Sequence, residues 1–272
     1  MHHVTELKNI YRHMTLHFYK YQGTGNDFVM LDNRTGTFPK EDTTLVNKLC
    51  DRRFGIGADG LILLEKSDTV DFTMVYYNAD GNESSMCGNG GRCLVAFAKQ
   101  LKVIKHKATF TAIDGLHHAT IKDGVVSLQM IDVTRIESYK SHTFLNTGSP
   151  HHIEFVANVD AIDIQKSGKE IRYGAPYYDE GTNVNFVEVI DSSTLKVRTY
   201  ERGVEDETLS CGTGVTAAAI AAYFEGKTTL PNTRILAQGG ALSVSFDEKN
   251  KGFYTVVLTG PATFVFEGTF KI

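Results

Sequence analysis

The chain carries an internal repeat. The segment YQGTGNDFVMLD, Tyr21 to Asp32, resembles FLNTGSPHHIEF, Phe144 to Phe155, at an offset of 123 residues. Tyr77-Asn78 falls opposite Tyr200-Glu201 at 123, and CGNGGRCLVAFA from Cys87 falls opposite CGTGVTAAAIAA from Cys211 at 124. One weak match would carry little, but three in one order at nearly one spacing imply two homologous halves. At 272 residues the chain is long enough for two such units. The expected division is a first half over residues 14–130 with Cys87, a second over 131–260 with Cys211, and a final strand, 261–272, that returns to the first half. Residues 1–13 read as an extension ahead of the first strand.

Runs such as FVMLDN, DFTMVYYN, NFVEVI and TLKVRTY are short, rich in β-branched and aromatic residues, and punctuated by Gly, Asn or Asp, which predicts strands along most of the chain. Helical periodicity is clear in TTLVNKLCDRR, from Arg92 to about Leu101, and from Gly214 to Phe224. No regular βαβ alternation stands out. The expected class is α+β: two halves related by a pseudo-two-fold axis, each a mostly antiparallel, strand-rich sheet around a central helix.

With 28 basic and 32 acidic residues and no Lys/Arg block, the sequence gives no sign of a nucleic-acid footprint. The longest apolar run, near Val215 to Phe224, is far short of the roughly 18 residues of a membrane span. No secretory signal is apparent at the start, so a cytoplasmic protein with four reduced thiols is expected.

Two of those thiols carry the chemistry. Cys87 in CGNGG and Cys211 in CGTG each sit where a helix is expected to begin. A helix start offers unpaired N–H groups and positive partial charge, and glycine lets a carboxylate approach the backbone. A thiol there is expected to have its pKa drawn below the reference of about 8.5. If the halves face each other, both cysteines converge on one cleft, one removing an α-proton while the other delivers a proton to the opposite face. Fixed dipoles would stabilise the carbanion without a cofactor, and no sequence support for a pyridoxal-phosphate lysine is seen. Cys50 and Cys93 lie on apolar helix faces and read as core.

Competing motifs are weaker. FGIGADG, Phe54 to Gly60, fits the dinucleotide fingerprint in spacing but follows a helical segment and runs into a strand, the reverse of what that fingerprint needs. Its glycines read as turn formers lining a cleft. The pairs His117-His118 and His151-His152 lack zinc-site spacing, so no metal is expected. His151, after TGSP, is the candidate supporting histidine. Glu201 and Arg202, beside the second cysteine, suit an ammonium and a carboxylate.

From about Leu16 onward the chain resembles the cofactor-independent diaminopimelate epimerases, with GTGNDF, FGIGADG, NADGNESSMCGNGGRC, GSPHH, GTNVNF, ERG and CGTG in that family's order. The resemblance implies interconversion of LL- and meso-2,6-diaminopimelate, in lysine and peptidoglycan-precursor synthesis, with Cys87 and Cys211 as the acid/base pair. It implies that Gly88, Asn89, Gly212 and Thr213 hold the reacting carboxylate. Asn26, Asn78, Asn183, Glu201 and Arg202 would read the distal amino-acid end. Ser149 stands in GSPH where many members have Asn, and Gly60 stands where some have Gln, so any contact at 60 would come from backbone or solvent. A homodimer and no partner beyond the small-molecule substrate are expected. The alternatives are another racemase of the same superfamily, such as a proline racemase-like enzyme, and a non-catalytic amino-acid-binding protein.

Overall fold

A computed structural model describes residues 15–84 and 86–272, so the extension expected at 1–13 lies outside the described residues. In the first half the elements are β1 (Thr15–Gly23), β2 (Asn26–Asp32), α1 (Thr43–Cys50), β3 (Gly60–Glu65), β4 (Phe72–Asn78), α2 (Gly88–Gln100), β5 (Lys107–Ala112), β6 (Gly115–Lys122) and β7 (Val125–Gln129). The second half runs β8 (Ile136–Ser138), β9 (Thr143–Asn146), β10 (Pro150–Phe155), α3 (Ile164–Tyr173), β11 (Asn183–Asp191), β12 (Thr194–Glu201), β13 (Asp206–Thr208), α4 (Gly212–Phe224), β14 (Asn232–Ala237), β15 (Gly240–Lys249) and β16 (Gly252–Pro261). A last strand, β17 (Thr263–Lys271), pairs antiparallel with β1.

The pairings follow one path, β17-β1-β2-β3-β4-β5-β6-β7-β16-β15-β14-β12-β11-β10-β9-β8, with β13 added against the end of β12. The repeat is visible in this path. β2 and β3 are parallel, as are β10 and β11; β4 and β5 are parallel, as are β12 and β14. The halves join where β7 pairs antiparallel with β16.

Each of the four α-helices among the described residues lies between two parallel strands, so the strand-rich, mostly antiparallel fold expected from the sequence also contains crossover units that the sequence did not reveal. A parallel pair needs a crossover, and the helices supply it. The short strands of β4/β5, matched only at Phe72↔Phe110 and Thr73↔Thr111, hide that regularity in the sequence. Helix α3 was not expected, because IQKSGKEIRY is mostly polar; Asp163 caps it by accepting from Lys166 N at 3.0 Å.

Within each half, one helix lies inside the sheet and one outside. α2 and α4 share the principal core: Cys93, Leu94, Val95, Phe97 and Ala98 from the first pack in one cluster with Val215 and Ala217–Ala222 from the second. α4 is apolar all round, as a helix buried on every side should be. α1 covers a separate cluster with Val29, Leu31, Leu61 and Leu63, while α3 covers Val184, Phe186 and Tyr200. Burying a side chain such as Phe97 stabilises by about 1.5–3 kcal/mol. The two central helices are thereby fixed with their N-termini toward the seam between the halves.

Candidate active site

The seam is formed by two helix starts in direct contact. Cys87 is the N-cap of α2, at φ −102° and ψ 125°, and Cys211 is the N-cap of α4, at φ −112° and ψ 112°. Neither thiol makes a capping hydrogen bond to its own helix, so no side chain of the N-cap covers the first amides of either. A Cβ placed on Gly212 would lie 3.2 Å from Gly88 Cα, and one on Gly88 would lie 3.5 Å from Gly212 Cα. Leu258 Cδ2 would be 3.1 Å from either. A side chain at Gly212 would press on the facing backbone, and one at either position would press on Leu258, so the glycines let the two positive helix ends meet this closely.

The thiols are held protonated. Burial pushes Cys87 up to about 11, against the pull of the Gly90 and Asn89 backbone N–H groups, with the Glu201 carboxylate adding to the rise. Burial raises Cys211 too, again reinforced by Glu201. This overturns the expected lowering: the amides act in the expected direction but are outweighed by burial and by a carboxylate from another strand. Cys87 accordingly donates its S–H to Asn26 Oδ1 at 3.6 Å, and Cys211 Sγ lies 3.5 Å from Thr213 Oγ1. Glu201 is itself raised by burial, and Thr208 Oγ1 donates to its Oε2 at 3.0 Å.

A cavity of about 930 Å³ opens over these helix starts. Of the residues singled out from the sequence, Asn26, Asn78, Cys87, Gly88, Asn89, Ser149, Asn183, Glu201, Arg202, Cys211, Gly212 and Thr213 line it. Asn26 Nδ2 donates to Asp59 Oδ2 at 2.6 Å. Asn89 Nδ2 donates to Ser210 O at 2.8 Å, while its buried Oδ1 has no partner. Asn183 is largely engaged within the wall: its Nδ2 donates to Ser149 Oγ at 2.9 Å and Pro150 O at 3.0 Å, and its Oδ1 accepts from Arg202 N at 2.9 Å. Arg202 is exposed, with Nη1 donating to Glu180 O at 3.0 Å.

His151 is not among the lining residues. It is buried behind the wall, where Asn185 Nδ2 donates to its Nδ1 at 3.1 Å, and burial, helped by Arg202, pushes it down to about 3. It can therefore act only as a neutral group behind the site. Of the other histidines, His142 and His152 stack with ring centroids 4.1 Å apart and His117 Nε2 lies 3.0 Å from Asp114 Oδ1, but no group of three or more His, Cys, Asp or Glu among the described residues is placed to hold a metal ion.

Asp59 and Tyr76 are among the lining residues that the sequence did not single out. Asp59 joins Asp27 around Arg52, at 2.7 and 2.6 Å, beside Asn26. Tyr76 fills the space beside Gly60: a Cβ there would lie 2.6 Å from Tyr76 Cε2 and 3.1 Å from its hydroxyl. A phenol thus occupies the space that a side chain at residue 60 would take. Alternation could have found it, since Tyr76 lies in β4 two residues before the cavity-lining Asn78 and shares its face. The FGIGADG segment turns as expected, with Gly57 at φ +83°. Cys50 and Cys93 are buried, and burial pushes each up to about 12.

Fold comparison places the chain among proteins built from two similar strand-rich halves. It superposes on a Bacillus anthracis phenazine biosynthesis protein of the PhzF family with a TM-score of 0.76 at 13% identity, covering 95% of this chain and 100% of that one. A hydroxyproline epimerase from Agrobacterium vitis, solved with trans-4-hydroxy-L-proline, gives 0.67 at 13% identity over 94% of this chain and 92% of that one. Sequence narrows the class: the diaminopimelate epimerase family model matches residues 18–134 and 143–265, and the chain belongs to that family. Diaminopimelate epimerase of Flavobacterium psychrophilum is 60% identical over 252 residues, 92% of this chain and 98% of that protein.

Proposed function

We propose that this protein epimerises 2,6-diaminopimelate between its LL and meso forms by two-base proton transfer at the α-carbon. The observation that carries this reading is the pair of N-capping cysteines on two helix starts that meet at one cavity. The reacting carboxylate sits on the free amides of Gly88, Asn89, Gly212 and Thr213, where two positive helix ends also receive the charge that develops as the α-proton leaves. Glu201, raised by burial and beside Cys211, accepts the Cys211 proton. The thiolate then takes the α-proton from one face, and Cys87 S–H delivers its proton to the other. Cys211 is left as thiol and Cys87 as thiolate, the arrangement that serves the reverse reaction, and transfer of the Glu201 proton to the Cys87 thiolate restores two thiols and a carboxylate.

Asn26, Asn78, Ser149, Asn183, Glu201 and Arg202 line the rest of the cavity and supply groups for a second ammonium and carboxylate. His151 supports this wall through Asn185. The cavity volume suits a substrate of this size. Strand pairing supports dividing the chain near residue 130, with 261–272 counted in the first half, since β17 pairs with β1. A homodimer is supported by the part-exposed Phe264 and Phe266, which share one face of β17. The family's reaction suits a cytoplasmic enzyme, and no helix among the described residues is long and apolar enough to cross a membrane.

The reduced protein incubated with LL-diaminopimelate in deuterated water should form meso product and carry deuterium at the α-carbon. Cys87→Ala and Cys211→Ala should each abolish epimerisation. Absence of exchange in the parent protein, or full turnover in either variant, would overturn the reading.

A further inference from the structure

Arg92 heads the fully buried side chains by size, at 0% exposure, and has no role in the mechanism above. It lies one turn into α2, and its side chain folds back toward the helix start, as helical side chains do. Its Nη1 donates to Gly88 O at 3.2 Å, Nη2 to Thr24 Oγ1 at 3.2 Å, and Nε to Pro261 O at 3.5 Å. All three acceptors are neutral, and among the described residues no carboxylate pairs with the guanidinium. The space for it is made by glycines: a Cβ on Gly23 would lie 3.3 Å from Nη2, and one on Gly260 would lie 3.2 Å from Nε.

A guanidinium does not give up its proton in a protein, and a buried charge without a counter-charge is strongly unfavourable. The carbonyl that Nη1 holds belongs to Gly88, the residue after Cys87 and the one that touches Gly212 across the seam. The missing counter-charge is therefore sought at the cleft end of α2.

We infer that Arg92 is a positioning residue: it fixes the Cys87 helix start and adds a full positive charge beneath it, so that an anion bound there, the Cys87 thiolate or the substrate carboxylate, is its counter-ion. The inference rests on the two-cysteine reading of the cleft. Glu201 from β12 faces Cys87 with the opposite effect, and Tyr76 from β4, Cys93 on α2 and Cys211 across the seam complete the titratable groups around it.

The test uses the full-length reduced protein and variants Arg92→Gln, Arg92→Lys and Thr24→Val. The rate of carbamidomethylation of Cys87 by iodoacetamide is followed from pH 7 to 11 by peptide mass. Arg92→Gln is expected to displace the Cys87 profile upward by about one pH unit, so that alkylation at fixed pH slows roughly tenfold, and to raise KM for diaminopimelate. Arg92→Lys keeps the charge and should stay within about threefold of the parent. Thr24→Val removes a hydrogen-bond partner but no charge, and should leave the profile in place. An unmoved profile in Arg92→Gln, equal shifts in Arg92→Gln and Arg92→Lys, or a comparable shift in Thr24→Val would each show a purely structural clamp and overturn the proposal. Failure of the parent protein to epimerise would strike the proposed function alone, because the alkylation profile is read without substrate.

Discussion

At the scale of single residues, burial governs the titration of the site. Asn185 Nδ2 donates to His151 Nδ1 at 3.1 Å, His152 Nδ1 lies 3.0 Å from Tyr177 Oη, and both rings are pushed down to about 3, His151 by burial and Arg202, His152 by burial and His142. The unfolded chain binds these protons below about pH 6.5 while the folded chain does not, so stability falls as pH drops from there toward 3, at about 1.4 kcal/mol per pH unit for each ring. Urea unfolding at several pH values should show this slope, and His152→Phe should reduce it by about one ring's share; an unchanged slope would contradict the assignment. Gly60→Ala should press on Tyr76 and on Tyr77 O, both 2.6 Å from the new Cβ, costing about 1–3 kcal/mol in unfolding measurements and raising KM. The cysteines were legible because the repeat marked them twice. Their protonation was not, because the helix-start amides that lower it are local in sequence, whereas the burying neighbours and Glu201 that raise it come from distant elements.

Among the elements, α2 and α4 set the geometry on which the chemistry depends. Their starts approach so closely that a single methyl at Gly88 or Gly212 must separate them or displace Leu258. Gly88→Ala and Gly212→Ala should each lower kcat by about 100-fold while leaving most of the fold intact, since misplacement near 1 Å carries a penalty of that order. Steady-state kinetics beside a thermal unfolding curve would check this, and near-parental kcat in both variants would refute it. The apolar periodicity of these helices was readable. The periodicity itself begins only at Arg92 and Gly214, because a glycine run carries no apolar stripe, but the starts expected at Cys87 and Cys211 hold, since both residues are N-caps. α3 escaped notice because its single buried face rests on Ile164, Gly168 and Arg172, too sparse a stripe for periodicity to reveal.

Across the whole molecule, the halves are joined at several levels: β7 with β16 in the sheet, Asn89 Nδ2 with Ser210 O at 2.8 Å, Thr24 Oγ1 with Ser210 Oγ at 3.0 Å, and a shared core cluster. The repeat foretold two matching units, but sequence similarity does not say which strands close the seam, since that depends on pairings far apart along the chain. β17 covers β1 along almost its whole length, from Thr15↔Lys271 to Gln22↔Thr263, and Phe266 and Phe264 pack on Phe18 and Tyr21. Ending the chain at Ala262 should bare that edge and the two aromatic rings, lowering soluble yield and the urea midpoint. A truncated protein with parental yield and midpoint would show that β17 is dispensable.

The same pairing has a consequence during synthesis. The first strand emerges from the ribosome long before its outer neighbour, because the partner of Thr15 is Lys271. Until the last strand is translated, the growing chain presents an open β edge, the kind of edge that pairs with other chains.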